Sequence, residues 1–171
     1  GTITQIVSGI MILFFGYYNN GDLIEINNMI GYVDNFNLLN TTITNNNNIS
    51  TVIPNNVITN GVFTNYYKNN TMYCNFFVTL SNNNKINYAK LLENIKDELI
   101  KDCKYAVDKS KVFAYISDNS EIGTKLSIKF LIKSSDYYNA QYSGKLIVRT
   151  LLINHRILLL DNNYIDLSNR S

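Results

Sequence analysis

The first 67 residues contain no lysine or arginine. Asp22, Glu25 and Asp34 are their only charged side chains, a net of −3, whereas residues 68–171 hold all 15 basic residues and the other 10 acids, a net of +5. Attraction to phosphate dominates nucleic-acid binding, so the N-terminal part lacks its main requirement. Tyr32, Phe36 and Tyr73 are therefore read as core or subunit-interface aromatics rather than base-stacking groups. An overall charge of +2 adds no nucleic-acid signal. Cysteine occurs only at Cys74 and Cys103, with no CxxC spacing, and histidine only at His155. A metal centre lacks its usual ligands, and the two thiols read as buried and free. No G-x-S-x-G, P-loop, H-E-x-x-H or glycine-rich dinucleotide loop occurs, nor an arginine in a phosphate-cradling glycine loop. Asp97, Glu98 and Asp102 stand among Lys90, Lys101 and Lys104 and read as a solvated helix face. Enzyme chemistry is not expected, and neither is a cofactor or metal. The apolar stretch from Ile3 to Tyr18 falls short of the roughly 20 residues a membrane span needs, so a stand-alone anchor is not expected. The stretch has no charged n-region or cleavage signature and is not read as a signal peptide.

What is abundant is asparagine, 29 residues of 171, beside 12 lysines and three arginines. These residues have AT-rich codons, and coding bias explains them. The runs Asn45–Asn48 and Asn82–Asn84 are then padded loops, and the sequons at Asn40, Asn48 and Asn69 carry no glycosylation signal.

Hydrophobic periodicity divides the chain. A helix is expected over residues 4–16, capped by Thr2 or Thr4, with Ile6, Ile10, Leu13 and Phe14 on one face. Strands follow at 23–26, 29–36, 38–44, 49–53 and 61–66, with Asn27-Asn28 as a hairpin turn. Residues 71–80 form a further strand, and Asn87 caps a helix running to about Tyr105. Strands at 111–116 and 125–132 flank a turn at 118–123. A helix over 136–155 and a strand over 163–167 complete a βαββαβ order, the ferredoxin-like arrangement. The charge shift places a domain change near 67–71.

Pro54 is the only proline. It closes Val52-Ile53 and precedes Asn55-Asn56. A proline cannot donate to a ladder and an asparagine tolerates tight turns, so this segment is a strand stopped at a fixed corner. Before it come Phe14-Phe15, Gly21-Asp22, Gly31-Tyr32-Val33 and Thr41-Thr42. These five features, in this order and nearly without gaps from Gly1 to about Tyr66, resemble the small-conductance mechanosensitive channel (MscS) family. Residues 72–168 resemble it by element order only. The family's arginines and proline before Gly21 are absent, Asn56 stands where a glycine is usual, and the Phe-Pro pair before the last strand is replaced by Leu160-Asp161-Asn162-Asn163.

The resemblance implies an α+β fold: a short pore-lining helix (1–20, the lower half of a transmembrane helix), an Sm-like small β-barrel (21–67) and a ferredoxin-like vestibule domain (68–171). It places Gly1 at the break of the pore helix, Gly9 as a second flexible point, and Phe14-Phe15 at the helix end; a glycine within a helix also reads, by itself, as a position of close packing against a neighbour. It implies that Gln5 bonds to the Pro54-Asn55-Asn56 corner of a neighbouring subunit. The implied activity is tension-gated passage of ions and small osmolytes under osmotic stress. The implied assembly is a homoheptamer in contact with membrane lipids, with no nucleic acid. It would lie in a cell membrane or organellar inner membrane, with residues 21–171 in the cytoplasm or its equivalent. The alternative is a non-conducting structural or Sm-like oligomeric binding module.

Overall fold

The computed structural model describes residues 1–82 and 85–160, and the strand expected over 163–167 lies outside them. The chain divides into two compact units, Gly1–Met72 and Tyr73–Ser171.

The first unit opens with helix α1 (Thr2–Phe15). Its N-cap is Gly1, with no capping side chain, because the helix starts early enough to take both Thr2 and Thr4 into its body. Gly16 ends it in the left-handed conformation (φ 59°), which glycine adopts without steric cost. Strands β1 (Leu23–Ile26), β2 (Met29–Phe36), β3 (Asn40–Thr44) and β4 (Ser50–Pro54) form an antiparallel meander. Asn27 and Asn28, both at positive φ, make the tight β1–β2 hairpin, as their sequence predicts.

After Pro54 the chain forms a short helix, α2 (Asn55–Asn60), which strand periodicity did not reveal. Then β5 (Phe63–Asn65) pairs antiparallel with β1, giving the order β4-β3-β2-β1-β5. The expected small barrel is an open five-stranded sheet, with β4 and β5 as its two edges. β5 has only three residues, and the chain leaves β4 through a helix. No continuous ladder is built between these edges. Ile12 of α1 and Ile58 of α2 pack with Ile24, Ile26, Val33, Ile43 and Ile53 of the sheet in one core.

The second unit contains β6 (Thr71–Ser81), α3 (Tyr88–Asp102), β7 (Val112–Asn119), β8 (Gly123–Lys133) and α4 (Tyr137–Asn154). Asn87 caps α3 as expected, its side-chain oxygen accepting from Lys90 N at 3.1 Å. The strand order is β6-β8-β7, with β7 and β8 antiparallel. After α4 the chain returns to β6, where Leu159 bridges Leu80 in antiparallel sense. The helices cover one face of this sheet. Gly144 lets α4 lie directly on it, since a Cβ there would stand 2.8 Å from Phe130 and 3.0 Å from Phe76. Cys74 and Cys103 are both free and buried. Burial and the neighbouring Cys103 push the Cys74 thiol up to about 12.

Candidate functional site

The Pro54 corner is held from inside. Pro54 pairs with Asn40 at the end of β4, and its φ of −57° is what its ring dictates. Asn55 follows as the first residue of α2 and is fully buried. Its backbone N–H donates to Leu39 O at 2.9 Å. Its side-chain Nδ2 donates to Asn37 O at 2.7 Å, and its Oδ1 accepts from the Thr41 hydroxyl at 2.9 Å. Thr41 Oγ1 lies 2.6 Å from the Tyr18 hydroxyl. A hydroxyl has one proton, so with Thr41 donating to Asn55, Tyr18 donates to Thr41. Burial pushes the Tyr18 phenol up to about 12, which keeps that proton in place. The relay runs from Tyr18 through Thr41 and Asn55 to the backbone of the β2–β3 connection.

That connection, Asn37-Leu38-Leu39, is the second part. Asn37 Oδ1 accepts from Leu39 N at 2.8 Å and Asn40 N at 3.0 Å, folding the loop into an asparagine turn. Asn55 holds the carbonyls on either side of Leu38. Gly9 of α1 presses on Leu38 itself: a Cβ at Gly9 would lie 2.3 Å from Leu38 O and 2.7 Å from its Cα. Gly9 and Asn55 thus grip the same three residues from two sides. Of the two roles expected of Gly9, close packing is the one the geometry displays.

A second link joins the helix to the corner. Ser8 Oγ lies 2.7 Å from Thr59 Oγ1 of α2, and Thr59 Oγ1 in turn bonds Asn55 O at 3.3 Å. Ser8, Gly9 and Ile12 are the buried residues of α1. Gln5, half-buried, stands one turn earlier on this same face. The other flank is bare: Ile3, Val7, Ile10, Leu13, Phe14 and Phe15 are all at least half exposed, with Phe14 at 83%. The helix packs Ser8, Gly9 and Ile12 inward and leaves most of its large apolar residues outward. Phe15 stacks on Tyr17, which packs against Phe63, so the helix end joins the sheet through aromatics.

Of the site residues named from sequence, Gly9, Pro54 and Asn55 meet at the loop. Gly1 sits at the start of α1 and Phe14 and Phe15 at its exposed end, away from that junction. Both polar groups of the Asn55 side chain bond within its own subunit, and the residue is fully buried there. Asn56 Oδ1 is closed off from solvent with no hydrogen-bond partner. Tyr18, Asn37, Leu38 and Thr59 were not singled out from sequence. The Asn37-x-x-Asn40 spacing, an asparagine turn immediately before Thr41-Thr42, was the available signal.

The acids of this unit are separated. Asp22 is buried, accepting from Asn19 N at 3.0 Å and Asn65 Nδ2 at 3.1 Å. Glu25 accepts from Tyr66 Oη at 2.5 Å. Asp34 is exposed and accepts from Thr44 Oγ1. Among the described residues no helix is long and apolar enough to cross a membrane.

The helix, the asparagine corner and the open antiparallel sheet all lie in the part of the chain that matches a known family, the β-domain of mechanosensitive ion channels. The family model for that domain matches residues 1–68. Solved structures agree in fold along most of the chain. Helicobacter pylori MscS in its closed state is 20% identical, with TM-score 0.73, covering 94% of this chain and 62% of that one. Arabidopsis thaliana MSL1 is 19% identical, with TM-score 0.65, covering 94% of this chain and 59% of that one. This chain therefore spans about three-fifths of the length of these channels. No curated protein sequence matches it. Residues 1–68 thus carry the mechanosensitive ion channel β-domain, and the chain as a whole shares the fold of these channel structures.

Proposed function

We propose that this chain forms the lower end of the pore and the vestibule of a channel opened by membrane tension, passing ions and small osmolytes under osmotic stress. The observation that carries this reading is the bare apolar flank of α1. A helix that packs only Ser8, Gly9 and Ile12 and exposes Ile3, Ile10, Leu13 and Phe14 is built for surroundings other than water. Neighbouring copies, membrane lipids and a pore lining supply such surroundings. The family match supports a homo-oligomer, with seven copies as the proposed number, in a cell or organellar membrane and with residues 21–171 on the cytoplasmic side. The strand order β6-β8-β7, with Leu159 beside the free side of β6, supports a ferredoxin-like reading of the second unit.

The mechanism needs no catalytic group. Tension favours the conformation of larger in-plane area, and the protein supplies two packed arrangements between which it shifts. α1 is the moving part. Gly9 against Leu38 and Ser8 against Thr59 transmit its tilt to the corner, where Pro54 and Asn55 resist it. Gly1 is the upper pivot. Gln5 and Asn56 stand on either side of this junction and complete it when subunits assemble. The test is patch-clamp recording of the full-length protein in membranes lacking other mechanosensitive channels. Pressure-activated currents are expected, with closure or inactivation kinetics altered by Asn55→Ala at unchanged expression. Absence of pressure-activated current up to membrane rupture, with the protein present at the surface, overturns the reading.

A further inference from the structure

The sheet of the second unit has one face under α3 and α4 and another left open. Strand alternation sends Phe76, Ile128 and Phe130 into the helices, and Tyr73, Phe77, Phe113, Tyr115, Lys125 and Lys129 the other way. Tyr73, Phe77, Phe113 and Tyr115 are 39–56% exposed. Lys129 stands over the rings of both Tyr73 and Phe113, at 5.0 and 5.3 Å, and Lys125 over Phe77 at 3.8 Å. No carboxylate occurs at strand positions 73–77, 113–115 or 125–131.

The opposite side of the same unit is complementary. Between α3 and α4 lies a groove of about 310 Å³ with Leu146, Ile147 and Leu151 in it and Glu98 and Asp102 at its edge. Lys101 reaches both carboxylates only at 3.9 Å and is mostly exposed, so it leaves them open to a closer cation.

We propose that the aromatic and lysine face of one copy docks on the acidic, apolar α3–α4 groove of the next copy. The inference rests on the homo-oligomer reading above and names the contact. The two surfaces are on opposite sides of a two-layer unit, so the contact is heterologous, the kind that closes into a ring. A single-stranded nucleic acid is the less favoured occupant. Bases stack on bare ring faces, and here those faces are capped by the very lysines that would bind phosphate.

The test uses the purified full-length protein. Phe77→Cys combined with Leu146→Cys should give a ladder of covalent oligomers with a short bismaleimide, and neither single variant should. Lys125→Glu with Lys129→Glu should shift the mass by light scattering from oligomer toward monomer. Adding Glu98→Lys and Asp102→Lys should restore it. An oligomeric protein giving no ladder, or dimers from Phe77→Cys alone, overturns this contact and leaves the oligomer reading intact. A monomeric wild-type protein overturns both. Binding of a labelled single-stranded oligonucleotide, lost in the Lys125→Glu/Lys129→Glu variant while its oligomeric mass is unchanged, also overturns the proposal.

Discussion

Both units bury an apolar core, but they join helix to sheet differently. In the second, Leu80, Ile95, Leu99, Leu126, Ile128, Phe130 and Ile132 are wholly buried, and the sheet is fixed to its helices by apolar packing. In the first, the packing of Ile12 and Ile58 on the sheet is joined by a relay of buried polar groups: Ser8, Thr41, Asn55 and the Tyr18 hydroxyl. Apolar packing is strong and tolerant of small shifts. A hydrogen-bonded relay is weaker in net energy but specifies one arrangement, because each group moved off its partner is left unsatisfied. The first suits a scaffold. The second suits a place where a helix must occupy one of two defined positions. The sharpest break of this comparison is therefore an apolar truncation in the second unit. Phe130→Ala should cost about 3–5 kcal/mol in stability, measured by chemical denaturation. Hydrogen exchange should rise in β8 and α4 first. A loss under about 1 kcal/mol would show that this core is not close-packed.

The polar junction should respond less in energy and more in specificity. Asn55→Ala strips partners from the Thr41 hydroxyl and the Asn37 carbonyl, both beside a buried residue. A loss of about 2–3 kcal/mol is expected, at the upper end for unsatisfied buried groups. Amides of residues 37–41 should lose protection. Asn55→Asp keeps the acceptor for Thr41 but loses the donor to Asn37 and buries a charge, and should be no better.

Gly9→Ala sets two effects of opposite sign against each other. Alanine favours a helix over glycine by about 1 kcal/mol. The new methyl, however, would lie 2.3 Å from a backbone oxygen, which no side-chain rotation can relieve. Overpacking of this kind costs about 1–3 kcal/mol, so the clash should win and α1 should lift from the loop. The check is the stability of the full-length protein together with its opening threshold. An Ala variant as stable as the parent and unchanged in threshold would remove Gly9 from the junction.

Much of this fold was legible because its signals are local. The helix of period 3.6, the Asn27-Asn28 hairpin and the Asn87 cap are set by neighbouring residues; the hairpin and the cap fall where the sequence places them, and the helix does so apart from its N-cap, which is Gly1. The Pro-Asn corner was legible as a stop but not as the start of α2. Six residues are too few for a helical period to emerge, and Val57-Ile58 reads equally well as strand. The open sheet was hidden because closure depends on how far β5 runs, which tertiary contacts decide. The apolar face of α1 was legible from its spacing, and Ile10, Leu13 and Phe14 on it stay exposed. That Ser8, Gly9 and Ile12 are the residues packed was hidden for a related reason, since the close approach of Gly9 to Leu38 is a tertiary contact. Asn55 announced itself by its place after proline. Its partners Asn37, Thr41 and Tyr18 are 14 to 37 residues away, and no spacing rule connects them.

Asn56 gives a smaller effect of the opposite sign. Its Oδ1 is buried without a partner, a deficit of about 1–3 kcal/mol if nothing else compensates. Asn56→Ala removes that group and improves helix propensity in α2. A gain of about 1 kcal/mol is expected by thermal or denaturant unfolding. A loss instead would mean that the side chain finds a partner in the assembled protein. Adjacent asparagines would then differ less than their surroundings suggest.

Tyr18→Phe is the mildest change at neutral pH and the most informative at high pH. It deletes one hydrogen bond at the end of the relay and keeps the ring against Phe36 and Phe63, so about 1 kcal/mol is expected. Burial raises the Tyr18 phenol from 10 to about 12. A raised pKa means that the folded state holds the proton more tightly than the unfolded one. The stability this supplies is complete below pH 10 and is lost as pH rises toward 12. Cys74 in the second unit follows the same sign from 9 to about 12, with burial as the main cause. Wild-type protein should therefore loosen in both units under alkali. In Tyr18→Phe the first unit should lose its alkaline decline between pH 10 and 12 while the second keeps its own. Unit-resolved protection of backbone amides, obtained from unfolding followed at each pH, separates the two. A first unit that weakens with the same slope in the variant would show that its alkaline response comes from elsewhere than the relay, and that the phenol is less enclosed than its packing against Phe36 and Phe63 implies.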